Sequence, residues 1–376
     1  MNFSNVKEWT INERSVIRVT DSLGRVIWEK QQPVPPTPTN EYFYVEDISG
    51  AANTLSITNS NGSAPTLDIY YSTDQTNWVY MGYTDITPIT AVIPANGKIY
   101  LKATAGNWGY SQGYSNTITA SGLHNVGGNI MSLLYSDNYL NKTTFPTTGN
   151  STEIFEELFY NNTNLVSAAS LNLPATTLTK SCYRFMFKGC TSLINTPVLP
   201  ATTMAISAYY GMFSGCSSLT TAPALPATTL AYYCYQHMFS GCTNLVNAPV
   251  LSATALDGYC YSNMFSGCTS LATAPALPAT NLYVYCYESM FYGCTSLTTA
   301  PVLPATTLTD SCYKRMFYGC YALNNITTYA NDIAGTECTK NWLVGVSGTG
   351  DFYNLGGATY ASGAGGIPTG WTVHTS

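Results

Sequence analysis

Leu308-Thr309-Asp310-Ser311-Cys312-Tyr313-Lys314-Arg315-Met316-Phe317-Tyr318-Gly319-Cys320 is one turn of a frame that returns every 26 residues. Its phenylalanine recurs at Phe187, Phe213, Phe239, Phe265, Phe291 and Phe317 without a slip. A fixed period in this range marks a solenoid, in which each unit buries its apolar face on the next. Such arrays usually present a surface for binding rather than a pocket for chemistry, so the periodicity also frames the functional question.

Within a unit, Leu308, Cys312, Met316 and Cys320 fall at i, i+4, i+8 and i+12, with Phe317 beside them. This predicts one apolar stripe on a helix, broken at its end near Gly319. Leu297-Thr298-Thr299-Ala300-Pro301-Val302-Leu303-Pro304 predicts a short extended segment, because its prolines exclude more helix. The expected architecture is therefore an α/β solenoid, with a parallel strand ladder on one side and helices on the other.

Outward from the array, the organisation changes. Residues 1–30 are a charged island, and Val16–Thr20 with Arg25–Trp28 around Asp21-Ser22-Leu23-Gly24 predicts a β-hairpin. Residues 31–41 carry Pro33, Pro35, Pro36 and Pro38, a stiff linker. Residues 42–122 hold seven short β runs, around Phe43, Leu55, Ile69, Val79, Ile89, Tyr100 and Ile118. They predict a β-sandwich of immunoglobulin or fibronectin type, with a small irregular barrel as the rival, and Trp78 as a core anchor. Residues 123–172 read as the N-terminal cap of the solenoid, with Asn162 in place of the second cysteine and the spacing stretched by two. The repeats proper run over 173–337. A C-terminal cap follows over 338–376, where Cys338 still keeps the 26-residue step and one more half-turn should pack on.

Charged residues make up only 9% of the chain, and the net charge is -6. That composition disfavours a nucleic-acid partner. No stretch approaches the roughly 18 apolar residues needed to span a bilayer. The N-terminus lacks the apolar core of a signal peptide, so the chain as it stands is not expected to use the general secretory route.

The frame F-x-G-C-x-x-L-x-x-x-P-x-L-P-A-x-x-L-x-x-x-C-Y-x-x-M resembles the BspA-like leucine-rich repeats over about 158–338, with departures at Ala208 and Ser252. Such repeats occur in surface proteins of gut and oral bacteria and in phages of gut bacteria. The ending Gly366-Ile367-Pro368-Thr369-Gly370-Trp371-Thr372-Val373 and the opening Val19–Trp28 look like segments that flank these arrays in phage-encoded proteins. The resemblance implies a virion fibre or decoration protein that displays the repeats for adhesion, or alternatively a bacterial cell-surface adhesin or a purely structural virion component without a ligand. Its partners would be other virion proteins through residues 1–30 and a host surface glycan or protein, with homo-oligomers allowed.

The cysteines form two columns, 182/234/260/286/312/338 and 190/216/242/268/294/320. Cysteines eight apart on one helix would lie about 12 Å apart, beyond disulfide reach, and clustered zinc-type pairs are absent. They read as buried free thiols. His124, His237 and His374 are isolated, and Glu153-Glu156-Glu157 reads as a solvated helix face. The expectation is no enzyme, no cofactor and no metal. The tyrosine after each first-column position reads as packing. Two sets of varying positions are candidates for binding. One is the helix set Arg184, Tyr210, Gln236, His237, Ser262, Glu288 and Lys314; the other is the strand set Thr220, Thr221, Asn247, Thr298 and Thr299. The bland reading of the first set is ordinary variation at exposed positions.

Overall fold

A computed structural model describes residues 6–11, 14–20, 26–31, 41–59, 66–104, 108–110, 114–146, 152–363 and 365–375. The chain divides into two compact units, Met1–Thr39 and Asn40–Ser376. In the first, β1 (Val6–Ile11), β2 (Arg14–Thr20) and β3 (Val26–Gln31) form an antiparallel sheet in that order. The predicted hairpin is the β2–β3 pair. Its turn, and most of the proline-rich linker, lie outside the described residues.

The second unit opens with β4 (Phe43–Asp47), β5 (Asn53–Asn59), β6 (Asp68–Ser72), β7 (Val79–Tyr83), β8 (Ile89–Ile93), β9 (Lys98–Ala103), β10 (Gly109–Tyr110) and β11 (Tyr114–Ala120). All seven predicted runs are strands. They lie in two sheets, β10-β11-β5-β8 and β13-β12-β4-β9-β6-β7, which share one core through Phe43, Leu55, Ile57, Ile69, Ile99 and Ile118. The order departs from the immunoglobulin type. There the first strand pairs with the second and the last flanks the penultimate one; here β4 pairs with β9 and β11 with β5, so first and last have exchanged sheets. The core anchor is Trp108, wholly buried with Nε1 donating to the Leu133 carbonyl at 2.7 Å. Trp78 is half-buried instead, beside Tyr42 and under the Lys102 ammonium.

β12 (His124–Asn129) joins the β domain to the repeats without a break, pairing antiparallel with β4 and parallel with β13 (Leu165–Asn172). Between them lies α1 (Ser132–Tyr135), the one α-helix among the described residues. From β13 onward, parallel bridges step along the array by 26 or so residues: Ser167 to Asn195, Thr221 to Asn247, Thr273 to Thr299, Thr299 to Asn325. These are single bridges, because Pro301, Pro304 and their equivalents supply no N–H to a continuous ladder. Full strands return only at the far end, where β14 (Asn325–Thr328), β15 (Gly350–Asn354) and β16 (Trp371–Thr375) make a parallel sheet. The C-terminal cap is thus more than the half-turn expected.

The predicted helices are not there. Residues 311–320 are a ribbon of consecutive tight turns in which Ser311, Arg315 and Gly319, every fourth residue, have left-handed φ of 52°, 53° and 73°. N–H groups alternate in destination. Cys312, Lys314, Met316, Tyr318 and Cys320 donate three residues back, to Thr309, Ser311, Tyr313, Arg315 and Phe317. Ser311, Tyr313, Arg315, Phe317 and Gly319 donate to the next coil, at Thr336, Cys338, Lys340, Trp342 and Val344. An α-helix would consume its donors internally; this ribbon gives half of them to its neighbour. Its side chains follow a strict period of four, with Cys312, Tyr313, Met316, Phe317 and Cys320 inside.

Candidate binding surface

The inside of the array is made of columns. Phe159, Phe187, Phe213, Phe239, Phe265, Phe291 and Phe317 stack at 5.1–5.8 Å between ring centroids. Beside them Phe155, Tyr183, Tyr209, Tyr235, Tyr261, Tyr287, Tyr313 and Trp342 form a second stack. These tyrosines are core, as expected. The hydroxyls of Tyr183, Tyr209, Tyr235 and Tyr287 are buried without a hydrogen-bond partner among the described residues. Nothing in the structure explains the choice of tyrosine over phenylalanine there.

All twelve cysteines are free and buried. In the second column each thiol donates to the phenylalanine carbonyl of the preceding unit, from Cys190 to Phe159 at 3.0 Å through Cys320 to Phe291 at 3.0 Å. That carbonyl already accepts the N–H three residues on, so both its lone pairs are used. Burial pushes these thiols up, Cys242 and Cys320 to about 12, which leaves them protonated donors and poor nucleophiles. Among the described residues no group of three His, Cys, Asp or Glu is placed to hold a metal ion.

The carboxylates of the N-terminal cap are not a solvated face. Glu156 is wholly buried and Glu153 is nearly so; Glu156 pairs with Arg184. Burial pushes the Glu156 carboxyl up to about 8 against the opposing pull of Arg184, and Glu153 and Glu157 add to the rise. Nearby, Asn162 stands where later units have cysteine. Its amide donates to the Ile118 carbonyl at 3.1 Å and meets His124 Nε2 at 3.0 Å, while His124 Nδ1 lies 2.9 Å from the Gly122 carbonyl. That substitution docks the first coil onto the β domain. His374, at the opposite end, pairs with Asp351 at 2.8 Å.

The two candidate sets are each brought together. The first set lies on the turn ribbon, half-buried rather than exposed, and Ser262 is wholly buried. Gln236 Nε2 donates to Ser262 Oγ at 3.4 Å. The Arg184 guanidinium lies 4.7 Å from the Phe185 ring and 5.7 Å from that of Tyr210, and Tyr210 is 5.7 Å from His237. Lys314 pairs with Glu337 at 2.7 Å and is one of the groups acting on Glu288. In the strand set Thr220, Thr221, Asn247, Thr298 and Thr299 are all exposed, and Asn247 Nδ2 donates to Thr221 Oγ1 at 3.2 Å. This ladder is less polar than its sequence suggested, since Ile194, Val246, Val250 and Val302 are exposed along it.

Sequence reasoning passed over a third group. At the position before the first cysteine the units carry Ser181, Ser207, Tyr233, Tyr259, Tyr285 and Ser311. The three tyrosines touch in series, 4.9 Å from Tyr233 to Tyr259 and 4.5 Å from Tyr259 to Tyr285. The change from serine to tyrosine in the middle units alone was the available signal.

The description "BspA type Leucine rich repeat region" matches residues 128–272 and 259–339, in six copies. The match covers more than half of the chain. This chain belongs to the BspA-type leucine-rich repeat family. No curated protein and no solved structure is found to match it. The family match stops within the C-terminal cap and begins inside β12, so the BspA-type array includes the coil docked by Asn162. Among the described residues no helix is long and apolar enough to cross a membrane.

Proposed function

We propose that this BspA-type protein is a non-enzymatic adhesion component of a phage particle, displaying its repeat array as a solenoid toward the host surface. Membership of the family supports a surface or adhesion role in general. The observation that carries the finer reading is the outer face of the array: residues 171–326 hold only eight charged side chains, and Thr, Asn, Ser and Tyr share the surface with exposed aliphatics such as Val246 and Val302. Such a face steers weakly by charge and offers hydroxyl and amide groups in register, which suits a repeating neutral or weakly charged glycan. Unpaired, buried thiols suit assembly in a reducing compartment. In this reading residues 1–30 attach to other virion proteins, the β domain is a spacer, and neither nucleic acid nor catalysis is involved.

Mass spectrometry of purified virions tests the location. A whole-cell binding assay with residues 40–376 tests adhesion; that fragment is one compact unit, whereas a cut at 123 would separate β12 from β4. The same protein on the outer surface of bacterial cells would establish the bacterial adhesin instead. Presence in virions without binding to cells or capsular polysaccharide would make the array a structural decoration.

A further inference from the structure

The tyrosines at positions 233, 259 and 285 are not required by the repeat. Six units have the same left-handed backbone there, with φ between 52° and 62°, and three of them accept serine. A left-handed φ is least favourable for bulky side chains, so large rings at three consecutive such positions work against the backbone. These tyrosines are half-buried, unlike the wholly buried Tyr235, Tyr261 and Tyr287 two residues on.

The group extends beyond one column. Tyr232 packs edge-on against Tyr233 at 4.2 Å and reaches Tyr259 at 5.6 Å; Tyr210 lies 6.5 Å from Tyr233. The rings therefore form an unbroken band over four successive units, from Tyr210 to Tyr285. Half-buried amides and a carboxyl of the adjoining turn, Gln236, Asn263 and Glu288, run along it. Among the described residues the cations beside its rings stand near its ends, Arg184 by Tyr210 and Lys314 at 5.9 Å from the Tyr285 ring. Tyr259 and Tyr285 cover each other's faces, so the band presents ring edges. We propose that it is a glycan-binding track, in which an extended glycan crosses those edges while its hydroxyls bond the phenols and the flanking amides. Aromatic rings give an apolar platform with polar tips, and the rise of one coil is comparable with that of one pyranose along an extended chain. The charged groups at its centre are carboxylates, Asp257 acting on Tyr232 and Glu288 on Tyr259, so the band suits a neutral polymer rather than an anionic one. The track rests on the adhesion reading and places its contact on the turn ribbon rather than on the Thr/Asn ladder.

The test uses the full chain and immobilised neutral polysaccharides and hexaoses as probes. In Tyr233→Ser/Tyr259→Ser/Tyr285→Ser each change installs the residue that other units already carry, so the melting temperature should stay close to that of the parent. A second variant, Thr221→Ala/Asn247→Ala/Thr299→Ala, alters the strand ladder. The track requires that the tyrosine variant lose at least ~10-fold in affinity and the ladder variant less than about twofold. The reverse pattern would overturn the track and leave glycan adhesion standing. Binding by the parent to none of the probes would overturn the glycan itself, and with it the track. Capture of a proline-rich peptide in its place, lost in the tyrosine variant, would reassign the band to a protein partner.

Discussion

Single residues decide how this array is held. The second cysteine column donates S–H bonds across units, whereas the first tolerates Ala208. Cys242→Ala should therefore cost more stability than Cys234→Ala, by about 0.5–1 kcal/mol, measured as a difference in denaturant midpoints; equal losses would show that the thiol contributes only volume. Unfolded, unreduced protein should titrate about twelve thiols, and recovery near zero would overturn the assignment of free cysteines. Glu156 gives a pH dependence. Folded, its carboxyl releases its proton near 8; unfolded, it does so near 4.5. Between those values the unfolded chain has lost a proton that the folded one keeps. Stability falls as pH rises through that window, by up to about 1.4 kcal/mol per unit, and the contribution is intact below it. Glu156→Gln should remove this slope. His124 and His237, pushed down by burial, titrate in the same way in both proteins, so the difference between two urea series from pH 4.5 to 8 isolates Glu156. Parallel series would refute it.

At the scale of the element, the lesson lies in the period. Cys312, Met316 and Cys320 at multiples of four were legible as one buried stripe, and they are one. They do not make a helix, whose apolar positions mix steps of three and four to keep to 3.6 residues per turn. Steps of four alone, with apolar neighbours Tyr313 and Phe317 at the same spacing, belong to a ribbon of turns; this mark was present but resembles a helix over so short a run. The strand assignments followed from β-branched runs and turn residues, which act locally. The exchange of β4 and β11 between sheets did not, because sheet partnership depends on contacts far apart in the chain. Nor did the burial of Glu156, which needs Arg184 from the next coil. The left-handed positions carry their own prediction. A Cβ on Gly241 would meet the Gly215 Cα only at 3.7 Å, ordinary contact, while φ is +75°. Gly241→Ala should thus cost about 1–2 kcal/mol through backbone strain alone, read from the denaturation midpoint. A loss several times larger would mean that space, not conformation, fixes glycine there.

For the whole molecule, the β domain, the docked first coil and the terminal parallel sheet belong to one compact unit, Asn40–Ser376. Because every internal coil meets its neighbours in the same way, its length is adjustable. Removing residues 240–265, which joins Phe239 to Ser266 in frame, should leave a folded protein with one rung fewer in each aromatic stack and a lower melting temperature. Removing 240–252 should give insoluble or unfolded chain; if both deletions behaved alike, the unit of folding would not be the coil. The alternating donors of the ribbon have a mechanical consequence. Bonds from Ser311, Tyr313, Arg315, Phe317 and Gly319 to the following coil point along the direction in which coils succeed one another. Tension between the two ends of the array would load one interface at a time, opening it like a zip rather than shearing many bonds together. Each opened coil would release 26 residues, roughly 90 Å of extended chain. A tether that yields in such steps lengthens under a sudden pull and blunts the peak force at its point of attachment.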